Sequence, residues 1–179
     1  MTDRISRPET RAKSNRAVIL VAAVAVATID LAAKAVSEAR LADSTVDLGL
    51  LQLRLGYNSG VAFGMGDKLP EAVIVAITAG VSVALVAYAW RRAPYAGGVE
   101  RIAGGAVIGG AVANVIDRAR DGVVTDYLHT GWWPTFNLAD TFLVTGFIVI
   151  ALVHARPERT VVEDEESAVH PNVTDARDP

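Results

Sequence analysis

Asp126, in Val-Val-Thr-Asp-Tyr, and Asp140, in Phe-Asn-Leu-Ala-Asp, both stand at the edges of strongly apolar segments. A carboxylate at the centre of a helix in lipid costs about 2.5 to 3.5 kcal/mol, so a chain keeps one there shielded, paired and in use. Neither aspartate has an evident cation beside it in the sequence. Two such groups in a low-dielectric setting resist ionising together: one pKa rises and the pair shares a proton. In that state one carboxylate takes a proton from a bound water, which attacks a carbonyl, while the other polarises the carbonyl oxygen or protonates the leaving nitrogen. Such chemistry needs two acids and a water, and no metal or cofactor.

Rival machinery is thin. The chain has no cysteine, which excludes a thiol nucleophile, a disulfide framework and lipidation of this chain itself. Ser59 sits in Asn-Ser-Gly with only His129 as a plausible outward base, and no Gly-x-Ser-x-Gly elbow occurs. His129, His154 and His170 lack the spacing of metal ligands. The net charge of -3 owes much to the acidic stretch Glu163 to Glu166, reads as a solvated end and suggests no nucleic-acid partner.

The elements that must hold the aspartates are membrane helices. Hydrophobic residues make up 51% of the 179, too many for an ordinary soluble domain. Crossing a hydrocarbon core of about 30 Å takes roughly 20 helical residues. Four windows fit, at about 17-36, 71-90, 101-117 and 137-155, the third reaching full length only with Arg101 and the polar group Asn114, Asp117 and Arg118 at its ends. Eleven of the seventeen Lys and Arg fall before the first window, between the second and third, or after the fourth. The positive-inside rule then puts both termini in the cytoplasm and the polar residues near the outer face. A cleaved signal is the other reading of the first window; its removal would leave three spans and throw the two basic regions onto opposite sides. Between the first two windows, Leu51-Gln52-Leu53-Arg54-Leu55 alternates with period two and glycines punctuate the stretch 44-66, predicting a small extracytoplasmic sheet, with a second short strand over 122-127. The expected architecture is an all-α membrane protein: a four-transmembrane-helix bundle over 17-155 with a small extracytoplasmic β-sheet, a cytoplasmic tail at 1-16 and a disordered acidic tail at 156-179.

Polar residues cluster by helical spacing. Asp30 and Lys34 share a face near the outer end of the first window, as do Asn114, Asp117 and Arg118 in the third and Asn137 and Asp140 at the start of the fourth. Asp30 lies about 20 Å along its helix from Ala17, so the three clusters sit at similar depth and can converge. The plainest use of four of these groups is mutual satisfaction, Asp30 with Lys34 and Asp117 with Arg118. Between the two aspartates, Gly131 and Pro134 permit the chain to fold back. Gly105 and Gly109 form a Gly-x-x-x-Gly pair that reads as close packing within the bundle. Trp132 and Trp133, just before Pro134, read as an interfacial anchor, with substrate contact as the second reading.

Four blocks in order resemble the bacterial lipoprotein (type II) signal peptidases: Asp30-Leu-Ala-Ala-Lys34, Asn58-Ser-Gly-Val-Ala-Phe63, the run from Gly105 through Asn114 to Asp117-Arg118, and Val124-Thr-Asp126-Tyr leading into Phe136-Asn137-Leu-Ala-Asp140. The resemblance spans roughly Ala17 to Ala155. It implies an intramembrane aspartic endopeptidase of the bacterial cell membrane that cuts prolipoproteins before a diacylglyceryl-modified cysteine. On that analogy Asp126 and Asp140 are the catalytic dyad, Asn58, Gly60, Asn114, Arg118 and Asn137 support the carboxylates and substrate, and Asp30, Lys34 and Asp117 are structural braces. The implied partners are lipid-modified precursors and membrane lipids, with a monomer expected. Ala33, Ala113 and Tyr127 depart from the family's usual residues, and the loop 58-69 is a candidate lid. A proton or ion translocator is the alternative, since intramembrane carboxylates also mark proton relays. Against it, the polar residues sit at one face, the cytoplasmic halves of the spans carry no ionisable continuation, and no inverted repeat is evident. A purely structural subunit would leave the two lone carboxylates without a use.

Overall fold

The computed structural model describes residues 8-59 and 71-155; Gly60, the proposed lid segment beyond Ser59 and the acidic tail lie outside the described residues. Within them the order is α1 (Pro8–Leu41), β1 (Thr45–Asp47), β2 (Gln52–Asn58), α2 (Glu71–Arg92), α3 (Gly98–Asp121), β3 (Val124–His129) and α4 (Leu138–His154). The protein is mostly helical with one small sheet.

Two of the helical stretches, Glu9–Leu41 and Gly98–Asp121, are long and apolar enough to cross a membrane, and α4 is a shorter apolar helix. α1 starts earlier than its apolar window. Pro8 suits a first helical position, where no backbone N–H is needed, and the extra turns are tied to the α2–α3 connection: buried Asn15 donates to Ala93 O at 2.8 Å and accepts from Arg101 at 2.6 Å.

α3 is the central helix, packed against α1, α2 and α4. Its small residues make this possible. A Cβ built on Gly105 would lie 2.5 Å from the Ala22 Cβ and 2.7 Å from Ile19 O, and one on Gly109 would meet Ala23 O and the Val26 side chain of the same neighbouring helix. The Gly-x-x-x-Gly pair therefore serves the α1–α3 seam, as its spacing predicts.

The sheet has order β1-β2-β3, antiparallel throughout. β2 occupies the stretch whose alternation predicts a strand, and β3 overlaps the second predicted one. β1, only three residues long, pairs Thr45 with Arg54 and Asp47 with Gln52. Gly122, at φ 86°, ends α3 in the left-handed conformation, donating its N–H to Arg118 O at 2.8 Å, and turns the chain into β3. After β3, Gly131 at φ 87° reverses the chain, and Leu128 bridges Phe136 through two backbone bonds of 2.8 and 2.9 Å. This return loop carries the chain from Asp126 back to the start of α4 and Asp140.

Candidate active site

Asp140 is placed by helix-end chemistry. Asn137 is the N-cap of α4, extended at φ -130°, and its Oδ1 accepts from the Asp140 N–H at 2.9 Å. The Asp140 carboxylate reaches back to the Asn137 N–H at 3.4 Å, a capping box in which the N3 acid is one member of the suspected pair. Asn114, reaching over from α3, donates to Asp140 Oδ1 at 2.8 Å.

Asp126 is placed by a strand. Residues 125 and 126 point to opposite sides of β3, so the buried Thr125 turns inward and Asp126 faces Asp140 and its cavity. Asn137 Nδ2 donates to Asp126 Oδ1 at 2.7 Å, and the Asn58 side chain adds a second hydrogen bond. Burial first, and the charge of Asp140 second, push the Asp126 carboxyl up to about 7, against the hydrogen bonds from Asn137 and Asn58 and the attraction of Lys34. Lys34 is thus a cation that the chain order conceals.

The three polar clusters meet. Lys34 Nζ lies 3.0 Å from Asp30 Oδ2, 3.2 Å from Asp117 Oδ2 and 2.7 Å from Asn114 Oδ1, so its charge and its donors are satisfied in the interior. Asp30 Oδ1 in turn accepts the Ala139 N–H at 2.8 Å, beside Asp140, and Asp117 Oδ2 accepts the Thr125 N–H at 2.7 Å, beside Asp126. The expected pairing of Asp117 with Arg118 does not form. Successive helical residues diverge around the axis, so Asp117 turns to α1 while Arg118 turns to Asn58, donating to its carbonyl at 3.4 Å.

Two cavities open on Asp140. One, of about 500 Å³, lies under the sheet between Tyr57, Asp126, Trp133, Phe136 and Leu143. The other, of about 400 Å³, runs down between α2 and α4 past Arg118, Val81, Leu85 and Phe147. Trp133 therefore lines the carboxylate cavity, while Trp132, 80% exposed, stacks edge-on against it at 5.6 Å. His129 pairs with Gln52, six residues along β2 from Asn58, or about 20 Å, so it cannot serve Ser59 as a base.

Three contributors escaped the sequence reading. Tyr127, one of the departures from the family, uses its buried hydroxyl to accept the Leu138 N–H at 3.3 Å, a donor left over at the start of α4, and burial raises its own pKa. Thr125 and Glu38 form a second brace, joined by a 2.9 Å hydrogen bond. Glu38 was detectable: it follows Asp30 and Lys34 at successive four-residue steps on one face of α1.

The family described as Signal peptidase (SPase) II matches residues 22-156. A lipoprotein signal peptidase of Syntrophomonas wolfei is 42% identical over 106 residues, covering 59% of this chain and 68% of its own length. Another, from Dehalococcoides mccartyi, is 32% identical over 155 residues, covering 84% of this chain and 97% of the relative. Two solved structures, each described as a bacterial membrane enzyme determined by the in meso method, superpose with TM-scores of 0.66 and 0.67 at 28% and 26% identity, covering 76% and 77% of this chain and 86% and 92% of theirs. The chain belongs to the signal peptidase II family of proteases.

Proposed function

We propose that the chain is an intramembrane aspartic endopeptidase that removes signal peptides from prolipoproteins, cutting on the N-terminal side of a diacylglyceryl-modified cysteine with Asp126 and Asp140 as its catalytic pair. The observation that carries this reading is the single amide of Asn137, which donates to the Asp126 carboxylate and accepts the backbone N–H of Asp140, with both aspartate side chains opening into one cavity. Asp126, titrating near neutrality, is the member suited to hold the shared proton and polarise the scissile carbonyl. Asp140 is suited to take a proton from the attacking water. Asn58, Asn114, Arg118 and Asn137 supply donors around the pair, and Asp30, Lys34 and Asp117 brace the helices beneath it; Gly60 belongs to the same motif by resemblance.

Four helices span the membrane in this reading, with both termini cytoplasmic and the dyad near the outer face. The apolar cavity between α2 and α4 suits the hydrophobic core of a signal peptide, and the wider one under the sheet suits the lipidated cysteine and the residues after it. Lipid-modified precursors and bilayer lipids are the partners, and a monomer is sufficient. The test is purified protein in detergent with a diacylglyceryl-modified lipobox peptide, chelator present, and products weighed by mass spectrometry. A cut immediately before the modified cysteine, with the unmodified peptide spared, is expected; proton flux in vesicles without any cleavage would contradict the reading.

A further inference from the structure

α1 presents three polar residues one above another, each touching a different part of the site. Asp30 bonds the first turn of α4, Lys34 bonds α3, and Glu38 bonds β3. The last of these contacts lands on Thr125, the residue before Asp126. Thr125 is fully buried, and each of its polar groups is taken: N–H by Asp117 at 2.7 Å, hydroxyl by Glu38 Oε1 at 2.9 Å, and carbonyl by Asn137 Nδ2 at 3.4 Å. Glu38 is itself fixed by Arg120, whose guanidinium also contacts Asp121 at 3.0 Å.

β3 needs such fixing. Among the described residues it pairs with β2 on one side, at the edge of the sheet, and beyond that bonds Phe136 through Tyr127 and Leu128. Because neighbouring side chains on a strand point to opposite faces, the rotation of β3 that swings Thr125 away from α1 also swings Asp126 away from Asp140. Locking the Thr125 hydroxyl therefore locks the direction of the Asp126 carboxylate.

We infer that Glu38 is a positioning residue for the peptidase reaction: held by Arg120, it clamps Thr125 and so aims Asp126 at Asp140. Glu38 meets neither the dyad cavity nor the substrate path along α2 and α4, and its side chain is partly exposed at 27%. The inference rests on the proposed peptidase reading.

The test compares parent, Glu38→Ala, Glu38→Gln, Thr125→Val and the Glu38→Ala/Thr125→Val double variant on the diacylglyceryl peptide, with deuterium uptake of the segment 124-129 measured on the same preparations. Misaiming a catalytic group costs between about ten- and a hundred-fold, so Glu38→Ala lowers kcat by that factor with KM little changed. Glu38→Gln, which keeps an acceptor for the Thr125 hydroxyl, recovers most of the loss. The double variant is no slower than the worse single, since both act through one contact, and uptake in the segment rises in Glu38→Ala. An unchanged kcat, losses that multiply in the double variant, or unchanged uptake overturns the inference. A parent that does not cleave overturns the peptidase reading instead, and the uptake comparison then still judges the clamp.

Discussion

Asn137 lies between the two aspartates: its Nδ2 donates to Asp126 at 2.7 Å, and its Oδ1 accepts the backbone N–H of Asp140 at 2.9 Å. One side chain thus caps α4 and links the strand acid to the helix acid. Asn137→Ala removes both at once. The lost N-cap lowers stability by about 1 kcal/mol, and the unlinked pair lowers kcat by about a hundredfold. Asn137→Ser, which keeps a cap but is too short to reach Asp126, recovers stability without recovering rate. Thermal unfolding and peptide turnover on both variants separate the two roles.

The raised Asp126 carboxyl makes activity and stability fall together as pH rises. Its pKa near 7 in the folded chain exceeds the ordinary 3.8, so between these values the folded state holds a proton that the unfolded state has lost. Stability attributable to this group is full below about pH 4 and declines as pH rises to about 7. Asp126→Asn, which has no charge to bury, therefore unfolds at a higher temperature than the parent at pH 8, and the gap closes near pH 4. In the parent, kcat/KM falls as pH rises through about 7, when the protonated member of the pair is lost. Melting curves and rate profiles over pH 4 to 9 check both.

Two glycines of α3 separate packing from catalysis. A Cβ on Gly110 would strike the Ala139 backbone, one residue before Asp140, whereas a Cβ on Gly104 meets nothing within 4 Å. Gly110→Ala pushes the first turn of α4 away, costing about 1 to 3 kcal/mol and reducing turnover with it. Gly104→Ala is neutral or stabilising by up to about 1 kcal/mol, because it gains helix propensity without a clash. Equal effects of the two substitutions on turnover would contradict the proposed seating of α4.

Much of this architecture is legible in the sequence because few physical signals compete there. Apolar windows give α2, α3 and α4 to within a few residues, alternation gives β2, and four-residue spacing puts Asp30 beside Lys34. The rest depends on contacts between elements. α1 begins at Pro8 rather than Ala17 because a polar turn finds partners across the bundle at Ala93 and Arg101. β1 is too short to show a period. Asp117 finds Lys34 rather than Arg118 because adjacency in sequence is not adjacency on a helix. Glu38 has a visible spacing, but its purpose appears only once β3 is laid against α1. Tyr127 departs from the family pattern and still acquires a specific role, because its hydroxyl reaches an unpaired helix donor that Phe could not satisfy.

The dyad itself is tested most directly by presenting the diacylglyceryl peptide to the parent, Asp126→Asn and Asp140→Asn in detergent and weighing the products. The predicted result is a single cut before the modified cysteine by the parent and none by either folded variant. Cleavage at that bond by either variant at a rate comparable to the parent would contradict the assignment.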